Sequence, residues 1–159
     1  MRVRVYWLVN PEEKLQDSLK HIDRAKELQD RWKGHQWLQV NGIKLVSDGV
    51  IDSCTATMLA PYRDGRNGEP IWPLERLTAA VQKADSLGLQ CAIHAIGDLS
   101  VHNAVEALAS IGHDQIIKNR HRIEHLEMTA SEDCDRLGAL GITASIQPVH
   151  SDPHSLQLV

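Results

Sequence analysis

Cys91-Ala-Ile-His94-Ala-Ile-Gly97-Asp98 and His121-Arg-Ile-Glu-His125-Leu-Glu127 are the stretches that decide the fold. Each holds a short apolar run that ends in a histidine, and each is followed by a helical pattern. A third string, Gly42-Ile-Lys44-Leu-Val-Ser-Asp48-Gly49, is built the same way around a lysine. Polar residues at the ends of successive apolar strands are expected where a parallel βα barrel empties onto the face that carries chemistry.

Outward from these strings, strand and helix signals alternate. Arg2 to Val9 has the β-branched and aromatic content of a strand. Asn10 and Pro11 read as the N-cap and first residue of a helix running to about Lys33, with Leu15, Leu19, Ile22, Ala25 and Leu28 at helical spacing. Gln36 to Val46 returns to strand, broken at Asn41-Gly42. A Gly- and Pro-rich loop from Asp48 to Pro73 is too long for a routine connector. Helices are expected over Leu74–Leu87 and Ser100–Ser110, stopped by Gly88 and Gly112. Thr129 to Glu132 forms a capping-box pattern opening a helix to Leu140, with Gly141 behind it. Strands are expected over Leu89–Ile93, Arg120–Leu126 and Ile142–Gln147.

The order is βα four times and then a strand, an α/β chain with a parallel sheet and right-handed crossovers. A doubly wound sheet is the alternative. It is disfavoured because the polar residues sit at successive strand ends, with no glycine-rich phosphate loop after the first strand. The expected fold is therefore a partial TIM-type (β/α) barrel of about five parallel strands. Five strands do not close such a barrel, which leaves sheet edges open to self-association.

Composition excludes several classes. The 159 residues are 42% hydrophobic and 24% charged, the balance of a globular chain. A net charge of −4 and a pI near 6.1 give no basic footprint for nucleic acid. No apolar run approaches the ~18 residues of a membrane span, and the N-terminus lacks a secretory pattern. Cys54, Cys91 and Cys134 form no CxxC pair, which suits a reducing compartment, so a cytoplasmic location is expected. Cys91 lies in an apolar strand, where a thiol behaves as a small hydrophobe.

Strand alternation puts Gly42, Lys44 and Val46 on one side, Gln90, Ala92 and His94 on one side, and His121, Ile123 and His125 on one side. Imidazole nitrogens suit zinc and similar ions. An ammonium does not ligate, but burial lowers a lysine pKa, and a neutral amine can take up carbon dioxide as a carbamate. The bland alternative is that strand histidines are hydrogen-bonded core residues. His21, His35, His102, His113 and His121 belong to that class or to solvent. The residues alone leave the metal site and the core reading both open.

At Gly42-Ile-Lys-Leu-Val-Ser-Asp-Gly49, His94-Ala-Ile-Gly-Asp98, Arg122-Ile-Glu-His125 and Ile146-Gln-Pro148 the chain resembles the amidohydrolase superfamily. The likeness is to amidohydrolase family 3, the group that includes N-substituted formamide deformylases, and it covers nearly the whole chain. It implies a βα barrel with one or two divalent metals, zinc as the expected ion. Lys44 matches the carbamate lysine, and His94 and His125 match the histidine ligands of the fifth and sixth strands. The implied activity is metal-dependent hydrolysis of amide-type, non-peptide carbon–nitrogen bonds in a small-molecule substrate. Gln147 and His150 stand where substrate contacts are expected, and Asp48 and Asp98 where supporting or turn residues are. The family's HxH is absent, and Asp98 and Asp152 do not occupy the position of its aspartate on the eighth strand. The resemblance thus places residues 1–159 as a central fragment, roughly strands three to seven, inactive alone. The competing expectation is a truncated, non-catalytic protein acting at most as an assembly partner.

Overall fold

The structure, a computed structural model, describes residues 1–151, with only the backbone of His150 and Ser151. Its elements are β1 (Val3–Leu8), α1 (Leu15–Arg31), β2 (Leu38–Val46), α2 (Leu74–Ser86), β3 (Gln90–Ala95), α3 (Asp98–Ala109), α4 (His113–Asn119), β4 (Arg122–His125), α5 (Ser131–Leu140) and β5 (Thr143–Ser145). A short 3-10 turn over Pro148–Ser151 follows. The five strands are all parallel and lie in the order β1-β2-β3-β4-β5. A doubly wound sheet reverses its strand order at a switch point, and this one does not. Sequential parallel order is barrel winding, with every helix returning over the same face.

That face is legible residue by residue. Ile43 and Leu45 of β2, Cys91, Ile93 and Ala95 of β3, and Ile123 of β4 are all fully buried in one cluster. The helices meet them with apolar positions three and four apart: Leu77, Ala80, Val81 and Ala84 on α2, and Val101, Ala104, Val105 and Leu108 on α3. The opposite face carries Gly42, Lys44, Gln90, Ala92, His94, Arg122 and Glu124, as strand alternation requires. Among the described residues no helix is long and apolar enough to cross a membrane.

Several local expectations are corrected. Asn10 and Pro11 do not open α1; Lys14 is its N-cap, and the Ser18 hydroxyl accepts from the Glu12 backbone N–H instead. Thr129 does not cap α5 either, because its hydroxyl turns back to the Leu126 carbonyl and Ala130 takes the cap position. Helix α4 had no separate sequence signal; it is seven residues long and lies between α3 and β4. Asn41-Gly42 does not break β2. The register there skips Asn41 against β1, a bulge that the strand runs through.

His121 is the core histidine that the bland reading describes. It is fully buried, on the helix side of the sheet with Ile123, so alternation does not bring it to the mouth. Its Nδ1 accepts the Cys91 backbone N–H at 2.9 Å, and its Nε2–H donates to Asp85 at 3.1 Å. Asn119 donates to the same carboxylate oxygen at 2.7 Å. The ring must be neutral to accept from Cys91, and burial lowers its pKa below 6.5 despite the attraction of Asp85. A depressed histidine pKa means that the unfolded chain binds the extra proton first. The stability from His121 is therefore full above pH 6.5 and lost as pH falls from there through the lower folded value. The urea midpoint should fall between about pH 7.5 and about pH 5.5, and fall less in His121→Gln. An equal fall in the variant would remove His121 as the cause.

Candidate metal centre at the strand ends

His94 stands on the last turn of the pleat in β3, on the face away from the helices. Its Nε2 lies 3.0 Å from the Gly49 carbonyl and 3.4 Å from Asp48 Oδ1. A ring nitrogen facing two oxygen acceptors carries the proton, which leaves the lone pair on Nδ1.

His125 reaches the same place by a different route. In the register His94 lies beside Glu124 and Ala95 beside His125, so regular alternation would send His125 toward the helices. The backbone turns instead. His125 has φ 80° and Leu126 φ 58°, left-handed conformations that non-glycine residues rarely adopt. The turn is held by the N–H groups of Leu126 and Met128 on the carbonyls of Ala95 and Ile96. Such strain costs about 1 kcal/mol or more per residue and is concentrated at functional sites. Here it brings the His125 ring to 4.5 Å from that of His94, at an interplanar angle of 63°. Burial lowers the His125 pKa, with the neighbouring His94 and Lys44 adding to it against the opposing pull of Glu124 and Glu127.

Lys44 does not meet the purely apolar wall expected from its strand. Its Nζ is paired with the Glu124 carboxylate, and Arg122 holds the other Glu124 oxygen at 2.8 Å. Burial pushes the Glu124 pKa up, but the two cations outweigh it and the net shift is downward. Arg122 also lies over the Tyr6 ring, 4.2 Å from its centroid. Lys44, Glu124, Arg122 and Tyr6 thus form a charge chain across β2, β4 and β1. Glu124 had no assigned role in the sequence, although a carboxylate on the same strand face as Arg122, next to His125, is the signal for it.

A cavity of about 230 Å³ opens at the histidine pair, lined by Val50, Ile51, Asp52, Ile96, Glu127 and Val149 beside the two rings. Asp52 belongs to the long loop after β2 and Glu127 to the string that ends β4, and the sequence gives neither a separate role. Gln147 is not among the described residues of this lining, and the His150 side chain lies outside the described residues, as does Asp152. Cys91 is fully buried, and burial drives its thiol far above the ordinary range, so it is no nucleophile.

Among the described residues no three His, Cys, Asp or Glu side chains stand together as a cage for an ion. The donor chemistry fits a borderline divalent ion in part. Two imidazoles meet edge to face, one of them with a ring nitrogen anchored as in metal-binding histidines. The third donor depends on Lys44, which ligates only as a carboxylated amine.

Comparison with known proteins identifies relatives of this sheet. Two metal-dependent hydrolases have similar solved structures. The one from Pyrococcus horikoshii OT3 has a TM-score of 0.70 and 27% identity, covering 98% of this chain and 35% of that one. The one from Pyrococcus furiosus has a TM-score of 0.67 and 26% identity, covering 93% and 34%. The Arabidopsis thaliana protein LONG AFTER FAR-RED 3 is 37% identical over 120 residues, which is 72% of this chain and 20% of that protein. YtcJ of Bacillus subtilis (strain 168) is 27% identical over 135 residues, 80% of this chain and 25% of that protein. The chain thus spans about a fifth to a third of the length of these relatives. The amidohydrolase family pattern matches residues 1–158. With that match running through the strand-end histidines and the sequential parallel sheet, the chain belongs to the amidohydrolase family.

Proposed function

We propose that this sheet carries part of the centre of a metal-dependent hydrolase of amide-type, non-peptide carbon–nitrogen bonds. The observation that supports it best is the pairing of the His94 and His125 rings at two adjacent strand ends, obtained at the cost of left-handed backbone at His125. In this reading His94, His125 and a carboxylated Lys44 hold a divalent ion, zinc by the softness of the imidazole donors. When bound, such an ion supplies Lewis acidity toward a carbonyl or a water. Glu124 orients the Lys44 side chain until its amine is modified, and Arg122 keeps Glu124 in place. Val50, Ile51 and Ile96 offer an apolar wall to a small acyl or amide group. Gln147 and His150 remain proposed substrate contacts, and the formamide-type subclass remains the proposed substrate family.

The 159 residues hold no HxH, and no described carboxylate stands at a later strand end to move a proton. The chain by itself is therefore proposed to bind metal and to hydrolyse nothing. The test has two readouts. With zinc and carbon-13 bicarbonate, wild type should show a carbamate carbon by NMR that is missing from Lys44→Ala. Amide turnover should not exceed that of Lys44→Ala. No carbamate signal would remove Lys44 from the ligand set. Turnover by wild type but not Lys44→Ala would show that the chain is catalytic alone.

A further inference from the structure

Asp48 stands at the join between the long loop after β2 and the end of β3. Its side chain is completely buried. Oδ2 accepts the Gly97 N–H at 2.8 Å and the Thr57 N–H at 3.0 Å, and Oδ1 accepts the Ile96 N–H at 3.1 Å. Oδ1 also faces His94 Nε2 at 3.4 Å. A turn-forming aspartate bonds its own backbone a residue or two on. This one bonds nothing local and spends its acceptors on residues nine to forty-nine positions away.

The surroundings are shaped to bring those donors in. The Thr57 peptide lies between two partners: its N–H goes to Asp48, and its carbonyl accepts the Ser100 N–H at the start of α3 at 3.3 Å. That carbonyl passes so close to Gly97 that a Cβ there would lie 2.1 Å from it. Gly49, the residue after Asp48, supplies the carbonyl on His94 Nε2. Asp98, by contrast, binds Leu59 N–H at 2.7 Å and the Leu99 N–H at 2.9 Å, and no contact joins it to His94 among its hydrogen bonds. Two aspartates therefore tie the same loop to the same strand end, and one of the two also reaches the imidazole.

We infer that Asp48 is the positioning residue of the centre: one buried carboxylate fixes the His94 ring and the adjoining cavity wall to the same three backbone N–H groups. This rests on His94 being a metal ligand. The Gly49 carbonyl accepts from His94 Nε2 and the Asp48 carboxylate lies 3.4 Å from the same nitrogen, so the proton is kept there and ligand basicity follows from these contacts. Because Val50, Ile51 and Asp52 follow Asp48 after a single glycine and line the cavity, metal affinity and pocket shape are set through a single side chain.

Zinc titration of the purified wild type, Asp48→Asn, Asp98→Asn and His94→Ala tests it. Asp48→Asn turns an amide NH₂ toward backbone donors, so zinc affinity should fall about tenfold or more, whereas Asp98→Asn should stay within about threefold of wild type. If His94→Ala loses zinc while Asp48→Asn keeps it, or if both aspartate variants lose it equally, the positioning role is overturned. If wild type and His94→Ala bind zinc alike, the ligand reading fails instead, and a second readout still decides on Asp48. Long-range proton–nitrogen NMR of the metal-free protein should show His94 protonated at Nε2 in wild type, with that proton broadened by exchange in Asp48→Asn. A wild-type His94 protonated at Nδ1 overturns the inference whether or not the variant folds, as does an unchanged Nε2 proton in Asp48→Asn.

Discussion

Gly42→Ala should destabilise the protein by about 3 kcal/mol, the upper end of what overpacking usually costs. Gly42 sits just past the bulge at Asn41, where β2 regains its register with β3 opposite Gln90. A Cβ at this position would lie 1.8 Å from the Gln90 carbonyl oxygen and 2.8 Å from its nitrogen. Those atoms are backbone, so no side-chain rotation relieves the clash. The strand would have to part from β3 or lose the bulge, and losing the bulge moves Lys44 to the other face of the sheet. Gly138→Ala is the matched control. It lies inside α5 with open space around the added methyl, and should gain about 0.5–1 kcal/mol from helix propensity. Chemical denaturation of both variants checks the pair. A Gly42→Ala protein as stable as wild type would mean that the close approach is not rigid.

His94→Ala and His125→Ala should each reduce zinc affinity by about 100-fold or more while leaving the far-ultraviolet circular dichroism of the sheet intact. Neither ring belongs to the helix-side core, so removing either leaves that cluster whole. The two differ in a second respect. His125→Ala keeps a strained backbone with no ring to show for it, so a His125→Gly variant should be more stable than His125→Ala by about 1 kcal/mol, since glycine alone adopts φ near 80° freely. Isothermal titration with zinc and urea denaturation on the three variants separate the effects. Unchanged zinc binding in both alanine variants would place the ion elsewhere, and equal stability of Gly and Ala at 125 would show that the turn relaxes.

Much of this is legible in the sequence. The apolar runs at Ile43-Lys-Leu45, Cys91-Ala-Ile93 and Ile123 are buried strands because the helices arrive at regular pitch with apolar residues to cover them. The strand-end histidines stood out because polar residues at the close of buried strands need a reason. Cap chemistry was less readable. Asn10 and Thr129 are good caps by type, but Ser18 and Leu126 offered the neighbouring backbone other partners. His125 was placed by the wrong logic. Period-two alternation assumes extended backbone to the last residue, and the left-handed turn at 125 and 126 sets it aside. Glu124 went unassigned because Lys44 was read against its own strand, whereas its partner comes from two strands away, a relation that only sheet register supplies.

The loop after β2 is fastened at its root and loose in composition at its tip. Ile51, Ala56, Met58 and Tyr62 share a small core with Ile96, and Thr57 and Leu59 are bolted by Asp48 and Asp98. Beyond them Arg63, Asp64, Gly65 and Arg66 are exposed, with Arg66 tied to Asp64 and the backbone of Gly65 and Arg66 to Tyr62. Such a division separates what must stay from what is free to drift. Lineages carrying this sheet can rewrite residues 63–66 without disturbing the root that keeps the imidazole aimed. Adaptive change should accumulate over residues 63–66 and stay rare at Tyr62, Asn67, Gly68 and Trp72, which are buried or bonded back to the root, and on the sheet side of Thr57.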